Sequence, residues 1–195
     1  GVWEMSLDEI TYLIKSSDKV RNMIQKLRNA NSDQYEKMKR QLPQIIFSGV
    51  FEKRADNAIK SYSGLLVVDL DSKDNPQVNL VEMKSLLAQD PYIYAIFVSP
   101  SGRGLKILVR VAEPIGSVTD ATALKKSHAA SAKTFFSYLN HVYGLKADKS
   151  GTDLSRACFI SWDPDLVINE KANIFKFKNF NCLEEYDFDE EDLEL

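Results

Sequence analysis

Histidine and cysteine are scarce in this sequence. His128 and His141 are its only two histidines, and Cys158 and Cys182 its only two cysteines. Neither pair has metal-ligand spacing, which argues against a cysteine-histidine metal module; without paired metal-binding histidines a rolling-circle relaxase is disfavoured as well. The cysteines read as two buried free thiols. No apolar run approaches the roughly 20 residues that span a bilayer. The N-terminus lacks the basic-then-apolar pattern of a signal peptide. A cytoplasmic chain with no membrane partner is expected.

The 195 residues suffice for one substantial core. A formal net charge of -3 would by itself disfavour a nucleic-acid partner. The distribution reverses that argument, because eight of the 28 acidic residues lie between Glu184 and Glu194. The rest of the chain sets 25 bases against 20 acids. The body is therefore mildly basic, and 181–195 reads as an acidic tail or linker toward a further domain.

Residues 1–42 read as a helical N-terminal extension. Ser6 and Glu9 have capping-box spacing, and Val20, Met23, Ile24 and Leu27 lie at helical spacing. A third helix runs through Tyr35, Met38 and Leu42, and Pro43 ends it. Arg21, Lys26, Arg28, Lys37, Lys39 and Arg40 occupy the opposite, solvated faces. Residues 43–180 then read as one α+β domain. Leu65 to Val68 is a strand covered on both faces, ending in Asp69-Leu70-Asp71. A helix starts near Asn79 and buries Leu80, Met83, Leu86 and Leu87. Tyr92 to Val98 is a strand, Ser99 to Gly104 a tight turn, and Leu105 to Val111 a half-buried hairpin partner. Thr119 or Asp120 caps a long helix to about Tyr143, with Leu124, Ala132, Phe135, Leu139 and Val142 as its stripe and His128 packed within it. Ala157 to Ser161 and Ile174 to Phe177 complete a mixed or antiparallel sheet.

Three segments carry chemistry. Side chains repeat every two residues on a strand, so Asp69 and Asp71 share one face and their carboxylates are able to share a cation. Mg²⁺ or Mn²⁺, with oxygen ligands, is the ion that also carries nucleotide phosphates. The bland alternative is a solvated turn with Ser72, Lys73 and Asp74. Second, Ser99, Ser101, Gly102, Arg103, Gly104 and Lys106 form a glycine-serine turn with two cations, which reads as a phosphate cradle. It is not a Walker A loop, since it lacks the four-residue spacer and leads into a strand. Third, Asp148 or Asp153 completes a three-carboxylate set, with Arg156 able to hold a phosphate bidentately. Trp162, Asp163 and Pro164 read as a packed turn.

Together these segments resemble the archaeo-eukaryotic primase superfamily: an Asp-x-Asp/Glu ending a strand, a Ser-Gly-x-Gly-x-His-like turn, and an acid some eight residues before an arginine. The likeness is closer to the primase-like N-terminal domain of virulence-associated-protein-E-type proteins of Bacteroidetes. It spans about residues 42 to 170 and rests on Ser63-Gly64, Ser99 to Lys106 and Ser155 to Pro164. The resemblance implies an RRM-like sheet flanked by helices and a nucleotidyltransferase in replication of a mobile element. In that reading Asp69, Asp71 and Asp148 are catalytic and metal-binding, with Mg or Mn as cofactor. Ser99, Ser101, Gly102, Arg103, Gly104, Lys106 and Arg156 would bind nucleotide. Implied partners are nucleoside triphosphates, single-stranded DNA or a primer-template, and a helicase domain in the same full-length chain. Lys106 stands where many primases have histidine, so it offers charge to a phosphate without imidazole geometry. A nucleic-acid-binding module without synthesis and a metal-dependent nuclease are the alternatives.

Overall fold

The computed structural model describes residues 3–176. Three short helices open it, each begun by a side chain that satisfies otherwise unpaired amides of the first turn. In α1 (Leu7–Ser16) the reciprocal box predicted from Ser6 and Glu9 is formed: Glu9 N donates to Ser6 Oγ at 3.2 Å, and Ser6 N to Glu9 Oε2 at 2.7 Å. Ser17 caps α2 (Asp18–Arg28) and Asn31 caps α3 (Ser32–Arg40). The first two bury a stripe of Ile14, Val20, Ile24 and Leu27. Full burial of such side chains stabilises by roughly 1.5–3 kcal/mol each. Helix α3 buries none of its residues.

Strands β1 (Gln44–Ile46), β2 (Gly49–Phe51) and β3 (Ile59–Tyr62) are short, and β4 (Leu65–Asp71) is the first long one. Helix α4 (Leu80–Leu87) leads to β5 (Ile93–Val98) and β6 (Gly104–Arg110). Helix α5 (Ala121–Tyr143) follows, then β7 (Ala157–Phe159) and β8 (Val167–Ile168). The main sheet has the order β4-β6-β5-β8, with every neighbouring pair antiparallel. Two antiparallel ribbons, β1 with β7 and β2 with β3, flank it. The chain is thus α+β with antiparallel sheets.

Both faces of the main sheet are covered. Leu66, Val68, Leu70, Ile96, Ile107 and Val109 pack with α4 and α5. Leu65, Val67, Tyr94, Ala95, Phe97 and Leu108 pack with α1 and α2. This second layer explains a departure from the sequence reading of β6. A half-buried hairpin partner was expected, yet β6 is a central strand with six of its seven positions buried. The N-terminal helices cover the face that its alternation with Lys106 had assigned to solvent.

Other departures are local. Leu86 is exposed because α4 buries Met83 and Leu87, one turn apart, and leaves Leu86 on the flank. Val142 is exposed in the last turn of α5, after the buried stripe ends at Leu139. Residues 174–176 make no strand. Fully buried Phe175 instead donates one backbone hydrogen bond to Arg110 O at 2.7 Å, and β8 takes the sheet edge. Phe177, Cys182 and the acidic 181–195 segment lie outside the described residues. Of the two possible caps for α5, Asp120 makes the bond, accepting from Ala123 N at 2.9 Å. His128 is packed as its place in the stripe predicts, with Nδ1 3.0 Å from the Tyr62 hydroxyl.

Candidate functional site

The site lies at the Asp71 end of β4, where it pairs with the start of β6. Register sets Asp69 opposite Lys106 and Asp71 opposite Gly104. Gly104 is required there: a Cβ would lie 2.6 Å from Leu70 O and 3.0 Å from Asp71 Oδ1. Lys106 shares a strand face with Leu108, so its aliphatic stem runs under the helical layer while its ammonium hydrogen-bonds Asp69 Oδ1. The lysine is only 7% exposed. Burial alone would lower its pKa; the hydrogen-bonded Asp69 carboxylate opposes burial, and the balance holds the lysine above its ordinary value. Burial pushes the neighbouring Cys158 thiol up to about 11, so it stays protonated and unreactive. Cys158 is thus the buried free thiol expected from its isolation in the sequence.

The third segment reaches the same place. Asp148 N donates to Asp69 O at 2.9 Å, which stitches the chain after α5 onto the outer edge of β4. Arg156 Nη2 lies 3.1 Å from Asp148 Oδ2 and 3.5 Å from Asp69 Oδ2. Asp148 Oδ1 accepts from Ser150 N at 3.0 Å and Ser150 Oγ at 2.8 Å. Burial would raise the Asp148 pKa, but the Ser150 hydrogen bonds and Arg156 overcome it and hold the carboxyl below its usual value. The result is an alternating chain of charges, Lys106, Asp69, Arg156 and Asp148. Of the two candidate aspartates, Asp148 takes this place. Asp153 is exposed, and its carbonyl accepts from Arg156 N at 3.1 Å.

The turn from Ser99 to Gly104 is closed on itself. Ser99 N donates to Gly104 O at 2.8 Å and Gly102 N to Ser99 O at 2.9 Å, with Gly102 at φ 73°. Arg103 N donates to Ser101 Oγ at 3.2 Å, and the Ser99 and Ser101 hydroxyls are 3.0 Å apart. The amides of Ser99, Gly102 and Arg103 are therefore engaged inside the turn rather than aimed outward as an anion cradle. What the turn offers a phosphate is the Arg103 guanidinium.

Sequence reasoning missed Arg28, which it placed on a solvated basic face. Its guanidinium is half-buried and donates to Ser99 O (3.2 Å), Pro100 O (3.2 Å) and Trp162 O (3.0 Å). Desolvation lowers its pKa, and Asp163 opposes that shift. Arg28 ties the end of α2 to the turn and to the Trp162-Asp163-Pro164 segment. That segment is a packed turn, as expected: buried Asp163 accepts from Val98 N at 2.8 Å and from Lys84 Nζ at 2.6 Å. No local signal distinguishes Arg28 from Lys26, because the distinction depends on a partner more than 70 residues away.

The carboxylates do not form a ready metal shell. Among the described residues no three His, Cys, Asp or Glu side chains converge as ligands. Asp69 and Asp148 meet through Arg156 rather than across a gap between them. The half-exposed Asp71 has Lys73 Nζ 3.8 Å away. Both oxygens of Asp69 face internal cations. The donor chemistry suits Mg²⁺ or Mn²⁺, but the arrangement already supplies positive charge where such an ion would sit.

Comparisons with curated proteins and with solved structures return no match. A family model described as BT4734-like, N-terminal domain, matches residues 37–167. That match covers about two thirds of the chain, and the protein belongs to the BT4734-like N-terminal domain family.

Proposed function

We propose that this is a primase-polymerase-like domain that binds nucleoside triphosphates and single-stranded nucleic acid through the charges around Asp69. The observation that carries the reading is convergence. Residues 69–71, 99–106 and 148–156 are far apart in sequence, yet Lys106 and Arg156 both reach Asp69, and Arg156 joins Asp148 to it. Three cations, Arg103, Lys106 and Arg156, serve one end of one sheet.

The topology supports the same reading. Strand, helix, strand, strand, helix (β4, α4, β5, β6, α5) with β6 between β4 and β5 is the split β-α-β arrangement of RRM-like and ferredoxin-like folds. The Asp148 segment follows the β4 edge, where a fourth strand of such a fold runs. A place in mobile-element replication beside a helicase rests on the primase resemblance alone.

Two forms of this reading differ in chemistry: nucleotidyl transfer with Mg or Mn on Asp69, Asp71 and Asp148, and binding without synthesis. Lys106 favours binding. It fills the direct cross-strand position on Asp69 with a buried, permanently charged group, so phosphate capture by Arg156 and Arg103 needs no added cation. The deciding experiment pairs fluorescent-nucleotide binding with extension of labelled primed and unprimed templates in Mg²⁺, Mn²⁺ or chelator. Triphosphate binding that survives chelator, weakens at least about tenfold in Arg156→Ala and gives no extension is expected. Extension that Asp69→Ala/Asp71→Ala abolishes would establish transfer instead, and no triphosphate binding at all would sink both forms.

A further inference from the structure

Helix α3 poses a problem of its own. It buries none of its residues, ends in Lys37, Lys39 and Arg40, and is attached through half-buried Tyr35 and Met38. Such a helix gains little from the core, so its surface composition calls for another account. That surface alternates cations with rings. Arg103 of the turn lies 5.9 Å from the Tyr35 ring centre. Lys39 lies 5.8 Å from the same ring and 5.9 Å from that of Phe159 on β7. The strip begins at the turn that leads into β6, the strand of Lys106. It ends on β7, the strand that starts immediately after Arg156 in sequence.

The contacts within the strip are weak ones. Cation–ring attraction extends to about 6 Å, and these three pairs sit near that limit, on a surface where water competes. A nucleic-acid base stacked on an aromatic face gains more than an exposed cation does at that range, and a displaced lysine or arginine gains a phosphate. A ring with cations beside it is thus suited to a ligand that brings a flat base and an anion together, repeated along a chain.

We propose that Arg103, Tyr35, Lys39 and Phe159 form a track for single-stranded nucleic acid, with bases stacking on Tyr35 and Phe159 and phosphates on Lys39 and Arg103. The track names the path by which a strand reaches the triphosphate centre, and in that sense rests on the reading above. It excludes duplex as the preferred ligand, because stacking on a side-chain ring requires an unpaired base face.

The test measures binding of fluorescein-labelled 20-nucleotide single strands, DNA and RNA in separate arms, to the full 195-residue chain by anisotropy. Tyr35→Ala is expected to weaken binding about tenfold, while Tyr35→Phe retains it. Lys39→Ala is expected to reduce the slope of log affinity against log salt by about 0.7, the loss of one phosphate contact on a single strand. Neither change touches a buried residue of α3, and circular dichroism confirms folding of each variant. Fluorescent-triphosphate binding by the wild-type chain is followed in parallel, so that failure of the track and failure of the triphosphate reading are seen separately. Strand binding that responds as stated, with no triphosphate bound, upholds the track and removes the triphosphate reading. Strand affinity indifferent to Tyr35→Ala, an unchanged salt slope in Lys39→Ala, or no strand binding by the wild-type chain each overturns the track.

Discussion

Replacing Lys106 by methionine removes one positive charge from beneath the helical layer and little else. Methionine keeps most of the aliphatic stem that packs there, so the change isolates the electrostatic loss. The Lys106 side chain is 8% exposed and that of Asp69 22%, so the carboxylate left behind is poorly hydrated. Removing one partner of a buried pair costs about 3–5 kcal/mol. Here the cost falls at or below the lower end of that range, because Asp69 keeps some water and keeps Arg156 at 3.5 Å. We expect Lys106→Met to lose about 2–3 kcal/mol in urea unfolding at pH 7. Adding Asp69→Asn should recover most of that loss, since the double variant buries no charge, and the cycle should show coupling of at least about 1 kcal/mol. Raising salt should change the result little, because the pair is screened weakly. A loss below about 0.5 kcal/mol, or zero coupling, would refute the placement of Lys106 as the internal counter-charge of Asp69.

Acid should destabilise the fold before its carboxylates titrate. Burial holds His128 down to about 4, against 6.5 in the unfolded chain, so the unfolded state takes up the proton first and stability falls as pH drops. The loss should reach about 2 kcal/mol between pH 7.5 and 5 in urea midpoints, and a His128→Gln variant that keeps the full slope would contradict this. Gly104→Ala places a Cβ 2.6 Å from Leu70 O, a backbone atom unable to yield without moving the strand. It should cost about 1–3 kcal/mol, speed amide exchange at the Asp71 end of β4, and weaken triphosphate binding; wild-type exchange and binding in that variant would show the strand ends are not tightly joined.

What could be read from the sequence follows the range of each interaction. Local devices were legible: the Ser6–Glu9 box, the Asn79 cap, the apolar run of β4 and the packed place of His128 all arise within a few residues. The three site segments were legible too, because strand alternation and glycine-serine chemistry are local. What stayed hidden depends on a distant layer. β6 reads as half-buried only while α1 and α2 are imagined as an appendage; once they cover that face, Lys106 is inside and Arg28 is an anchor. The turn reads as an open cradle until its amides are followed to Ser99 O, Ser101 Oγ and Gly104 O.

The same register that builds the core also builds the charge centre. Pairing Leu66 with Val109 and Val68 with Ile107 places these apolar side chains toward α4 and α5, and it leaves Asp69 no neighbour on β6 except Lys106. A slip of one residue would carry Lys106 to the opposite face, into the apolar layer of Phe135, Leu139 and Met83. Loss of the Asp69–Lys106 contact by slippage would therefore expose the whole apolar set along with it. The ion pair is held by the burial of its strand neighbours, not by its own attraction. Lys106 is therefore a fixed charge within the sheet, while Arg156, one quarter exposed and shared between two carboxylates, is the more accessible cation of the pair, the one the proposed phosphate binding would draw on.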